Sequence, residues 1–81
     1  MLRFFRGLVI LLAVTRPADA DYATGMIAYE QGDYKSAYEN WLALAEDGRP
    51  AAQYNLGYLY QKGLGVELDL DRAREWYTKA A

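Results

Sequence analysis

The chain has 81 residues, of which 53% are hydrophobic and 25% charged, and a formal charge of −2. That length holds one small domain and excludes a two-domain enzyme. With no cysteine and no histidine there is no thiol nucleophile, disulfide framework, imidazole base or common zinc ligand, and Ser36, the one serine, cannot complete a Ser/His/acid triad.

Met1 to Arg6 carries two arginines, Gly7 to Val14 is uninterrupted apolar sequence, and Ala18-Asp19-Ala20 is a small-x-small exit. This order predicts a cleaved secretory signal peptide over residues 1–20. The rival is an uncleaved membrane anchor, but a spanning helix needs roughly 20 apolar residues, and this run is bounded by Arg6 and by Arg16-Pro17. A buried helix of the domain is the third reading, and Pro17 would break it from the chain beyond. The expected address is therefore outside the cytoplasm: the periplasm in a Gram-negative cell, otherwise the exterior or the secretory lumen. Removing the leader takes away three arginines and Asp19, leaving six basic and ten acidic side chains, a net charge of −4. The remaining cations are scattered singly, so no nucleic-acid partner is expected, and no membrane partner after cleavage.

Beyond Ala20 the apolar residues recur at helical spacing. Tyr22, Gly25, Met26 and Tyr29 share one face of a first helix, which Gly32-Asp33 interrupts. Asp33 is a natural N-cap for a second helix in which Tyr34, Ala37, Tyr38, Trp41, Leu44 and Ala45 form the stripe and Gly48 the stop. Glu46 and Asp47 near its carboxyl end conflict with the helix dipole. Pro50 fits the first position of a third helix with Ala52, Leu56, Leu59 and Tyr60 inward. Gly63 and Gly65 bracket a loop, and Asp69 caps a fourth helix carrying Ala73, Trp76, Tyr77 and Ala80. The second helix of each pair repeats at 36 residues, pairing Ala37 with Ala73, Trp41 with Tyr77 and Leu44 with Ala80. Such self-similarity predicts an α-solenoid whose hairpins bury their apolar faces by stacking. Two hairpins are expected, over residues 21–49 and 50–81, with Trp76, Tyr77 and Ala80 facing an uncovered end.

Two sharper chemistries fail on context. Gly63-Leu64-Gly65 comes after a helix rather than a strand and lacks a third glycine, so it reads as chain reversal and not a phosphate cradle. Glu67, Asp69 and Asp71 alternate as calcium ligands can, but no glycine-turned loop or bidentate terminal glutamate completes a cage. No metal, cofactor or catalytic residue is expected.

The run from Ala52 through Gln53-Tyr54-Asn55-Leu56-Gly57-Tyr58-Leu59-Tyr60, then Gly63-Leu64-Gly65-Val66, Asp69, Ala73, Trp76-Tyr77 and Lys79-Ala80-Ala81, closely resembles one complete SEL-one-like repeat, a relative of the tetratricopeptide repeat. Residues 22 to 48 resemble a tetratricopeptide-type or degenerate SEL-one-like hairpin with a shorter turn, Gly25 standing 12 residues before Ala37 where Gly57 stands 16 before Ala73. The resemblance implies an all-α, right-handed solenoid that acts as a non-catalytic adaptor or scaffold and holds a protein or peptide partner on its concave face. First helices line that face in such proteins, and tyrosine offers broad contact with a polar tip, so Tyr29, Tyr54, Asn55 and Tyr58 are the candidate partner contacts. Alternatives are a fragment of a longer repeat protein, self-association through the open C-terminal hairpin, or a carboxylate-based hydrolase for which nothing assembles a site.

Overall fold

The computed structural model describes residues 17–81, with side-chain environments from Tyr22 onward; the first sixteen residues of the expected leader lie outside the described part. Four helices succeed one another: α1 (Pro17–Glu30), α2 (Tyr34–Glu46), α3 (Pro50–Lys62) and α4 (Leu70–Ala80), with no strand among the described residues. None of these helices is long and apolar enough to cross a membrane. The sequence reading starts the first helix after Ala20, whereas α1 starts at Pro17. A proline at the first helical position loses no hydrogen bond, because that N–H would be unpaired in any case, and its fixed φ suits the turn. Ala18-Asp19-Ala20, read as an exit site, is therefore helical in the intact chain.

The turns repeat one design. α1 ends with Gly32 at φ 83°, its N–H donating to Tyr29 O and the N–H of Asp33 to Ala28 O. α2 closes the same way, Gly48 at φ 93° donating to Ala45 O and Arg49 to Leu44 O. These paired backward bonds satisfy carbonyls that a helix end would otherwise leave orphaned. At the opposite ends Asp33 Oδ1 accepts from the N–H of Ser36 and Asp69 Oδ1 from the N–H of Arg72, so acids 36 residues apart cap α2 and α4. Glu46 and Asp47 are both exposed, and water screens the unfavourable dipole at the end of α2.

Packing proceeds between chain neighbours: α1 on α2, α2 on α3 and α3 on α4. The core runs through Ala28, Ala37, Trp41, Leu44, Ala45, Ala52, Leu56 and Leu59, so the apolar face of α2 is covered from both sides. Two matching crossings set the hairpin geometry. At Gly25 the α1 backbone lies against the Trp41 indole, and at Gly57 the α3 backbone lies against the Tyr77 ring. Either glycine given a Cβ would collide with the ring it faces, so the small-and-large alternation of the sequence is a steric requirement at both crossings.

α2 and α3 are joined by more than apolar contact. Gln53, buried among hydrophobic residues, donates from Nε2 to the carbonyl oxygen of Ala45 at 3.1 Å, and the hydroxyls of Tyr38 and Tyr60 meet at 3.0 Å. The four extra residues of the second turn also have a place. Gly65, at φ 75°, passes so close to the start of α2 that a Cβ there would lie 2.5 Å from Tyr34 O. Leu64 and Val66 on either side pack against the core. The loop thus belongs to the contact between hairpins as well as to the reversal of the chain.

Candidate functional site

A groove forms between residues of α1 and α3, with Trp41 of α2 between them. Its lining is Met26, Tyr29, Trp41, Tyr54, Asn55 and Tyr58, around a space of about 250 Å³. All four sequence-predicted contacts, Tyr29, Tyr54, Asn55 and Tyr58, lie here together. They converge because Tyr54, Asn55 and Tyr58 occupy neighbouring turns of α3, while Tyr29 crosses to them from α1. The Tyr29 and Tyr58 rings meet edge to face at 6.5 Å. Met26 and Trp41 complete the groove, although helical spacing marks them only as packing residues. Trp41 is 2% exposed and does both jobs: its ring seals Gly25 and also forms the groove floor.

The polar groups are held in place. Trp41 Nε1 donates to Tyr22 O at 3.3 Å, and Asn55 Nδ2 donates to the Tyr22 hydroxyl at 3.2 Å, linking α3 to α1 across the groove. The Tyr29 phenol is pushed above its ordinary range, chiefly by the Tyr58 hydroxyl as a hydrogen-bonding neighbour and then by burial. It stays protonated at neutral pH and can donate. Among the described residues no carboxylate, lysine or arginine belongs to the lining; Lys62 stands beside it, with Nζ 5.9 Å from the centre of the Tyr58 ring.

A second, wider depression of about 690 Å³ lies at the outer end of the α3–α4 hairpin, between Pro50, Ala51, Tyr54, Gln61, Tyr77 and Ala80. Tyr77 donates to Gln61 Oε1 at 2.6 Å, and its ring lies 5.2 Å from that of Tyr54, which forms the ridge between the two hollows. Trp76 does not face this end as its spacing predicts. Its ring packs on the core, with Lys79 Nζ 4.8 Å from the ring centre, because its position on α4 turns it inward. The alternating acids make local bonds: Asp69 caps α4, and Asp71 Oδ1 pairs with Arg74 Nη2 at 2.7 Å. Among the described residues no cluster of acids is placed to hold a metal ion.

The Sel1 repeat family matches residues 50–81, the α3–α4 hairpin. Similar proteins include the chitin synthase regulator SKT5 of Saccharomyces cerevisiae, 41% identical over 54 residues, which are 67% of this chain and 8% of that protein. The activator of C kinase protein 1 of the same yeast is 38% identical over 64 residues, 74% of this chain and 10% of that protein. The ERAD-associated E3 ubiquitin-protein ligase component HRD3 of Candida glabrata is 34% identical over 61 residues, 75% and 7% respectively. The chain thus spans a small fraction of the length of the curated relatives it matches. No solved structure matches the chain significantly.

Proposed function

From the premise that the chain belongs to the Sel1 repeat family, we propose that it is a protein-interaction module that holds a short segment of a protein or peptide partner in the α1–α3 groove, without catalysis. The observation that carries this reading is the convergence of Tyr29, Tyr54, Asn55 and Tyr58 on one hollow, with Tyr54 left 56% exposed. Large, stiff side chains presented by a packed scaffold lose little freedom when a partner arrives, so contact area converts efficiently into affinity. The similar proteins point the same way by name, as a regulator, an activator and a ligase component. The basic start and short apolar run of the leader support export of the module.

A photoreactive phenylalanine analogue placed at Tyr58, and separately at Glu39 on the exposed side of α2, tests the surface in native cells. Specific adducts are expected from position 58 and not from 39; equal adducts from both positions, or none from 58, overturn the assignment. N-terminal sequencing of the purified native chain tests export. A start at Asp21 in the extracytoplasmic fraction is expected, and a chain starting at Met1 in the cytoplasm removes that part of the proposal.

A further inference from the structure

Resting on that reading of the groove, we infer that its occupant is an uncharged, proline-rich segment in the extended polyproline II conformation. Charge is the first discriminator. The chain carries a formal charge of −2, yet among the described residues the lining holds no formally charged side chain and Lys62 stands only at its edge, so neither a phosphorylated nor a strongly basic or acidic segment finds a counter-ion among the walls. Hydrogen-bonding demand is the second. A helix spends its carbonyls on its own N–H groups and so leaves the donors of the groove unmatched. Strand addition needs a sheet edge, and the described residues contain no strand. Capture of a terminal carboxylate needs unpaired backbone N–H groups, whereas every lining residue lies inside a helix where its N–H is already used.

The remaining mode of recognition matches the chemistry of the walls. Polyproline II makes no internal hydrogen bonds, so its carbonyls need outside donors, while its prolines bring no N–H that would need an acceptor. The groove offers donors: the Tyr54 hydroxyl, one of the two paired hydroxyls of Tyr29 and Tyr58, and the Asn55 amide, which gives one N–H to Tyr22 and keeps a second. Flat tyrosine faces receive pyrrolidine rings by apolar contact, as aromatic-lined grooves do generally.

The two tryptophans make the test direct, since Trp41 lies in the groove floor and Trp76 lies elsewhere on the core. Decaproline is titrated into the full-length ¹⁵N-labelled chain while both indole N–H signals are tracked. Decaproline should move the Trp41 signal and leave that of Trp76 in place, and Asn55→Ala and Tyr58→Ala should each weaken binding by about tenfold. Tyr58→Phe, which keeps the ring, controls for loss of fold, together with an unchanged Trp76 signal. A helical alanine-based peptide and an alternating Pro-Glu peptide should bind at least about tenfold more weakly. The inference is overturned if Trp41 stays still at saturating decaproline, or if either control peptide binds equally. Position-58 crosslinks with a silent decaproline titration would leave the interaction role standing and sink only the proline-rich occupant; failure of both removes both.

Discussion

At Gly57 an added methyl group would lie 2.7 Å from two carbons of the Tyr77 ring, and at Gly25 it would strike the Trp41 indole. Alanine is the better helix former by about 1 kcal/mol, so propensity alone would favour either replacement. Overpacking a tight crossing costs about 1 to 3 kcal/mol, and the ring faced in each case is held by other contacts, Tyr77 by Gln61 and Trp41 by the backbone of Tyr22. Gly57→Ala and Gly25→Ala are therefore expected to be net destabilising, by up to about 2 kcal/mol, in thermal or urea unfolding. A variant more stable than the parent would show that the rings shift freely. These glycines are legible in the sequence because each recurs with its aromatic partner in both hairpins. Gln53 is not: a polar residue on an apolar stripe carries no local sign of the Ala45 carbonyl, which belongs to the preceding helix.

Among the connecting elements, the α3–α4 loop differs from the α1–α2 turn in what its glycines do. Gly32 and Gly65 both have positive φ, but Gly32 has open space around it while Gly65 lies against the backbone of Tyr34 and Lys35. Gly32→Ala should cost about 1 to 2 kcal/mol, the penalty of a left-handed angle for a side chain. Gly65→Ala carries that penalty and a backbone collision as well, so in parallel denaturation curves it should lose clearly more; equal losses would mean that the loop swings away without consequence. Helices α2, α3 and α4 are readable because Asp33, Pro50 and Asp69 mark their starts and Gly48 and Gly63 the ends of α2 and α3. The start of α1 is not, because a helix beginning at proline and a leader ending in small residues share the same letters. The sequence marks Gly65 only as a turn residue, since its close neighbour Tyr34 belongs to the other hairpin and only the fold brings them together. The four candidate contacts are legible through the resemblance of α1 and α3 to repeat first helices, whereas core spacing hides the second role of Trp41.

Across the whole molecule, the Tyr38–Tyr60 contact ties one hairpin to the other, the rings edge to face at 5.9 Å. Burial first, and then the Tyr60 hydroxyl, push Tyr38 up from 10.0 to about 12, partly opposed by the nearby Arg72. The folded state thus favours the neutral phenol. That contribution is fully present below the unfolded value of 10.0 and is lost as the pH rises toward about 12. Melting temperature should therefore hold steady through neutral pH and fall across that alkaline window, with Tyr38→Phe showing a shallower fall; identical slopes would separate the tie from alkaline unfolding. Tyr29 and Tyr77, raised as well, leave the variant some residual slope. The backward reach of Gly65 onto α2 has a further consequence. As the polypeptide is made from its amino end, the residues that seat the loop are already in place in the chain when the loop emerges, so each unit can be laid over the one before it like an overlapping roof tile. The dependence runs both ways, since α3 in turn roofs the apolar face of α2, and the two units lock as a lapped pair.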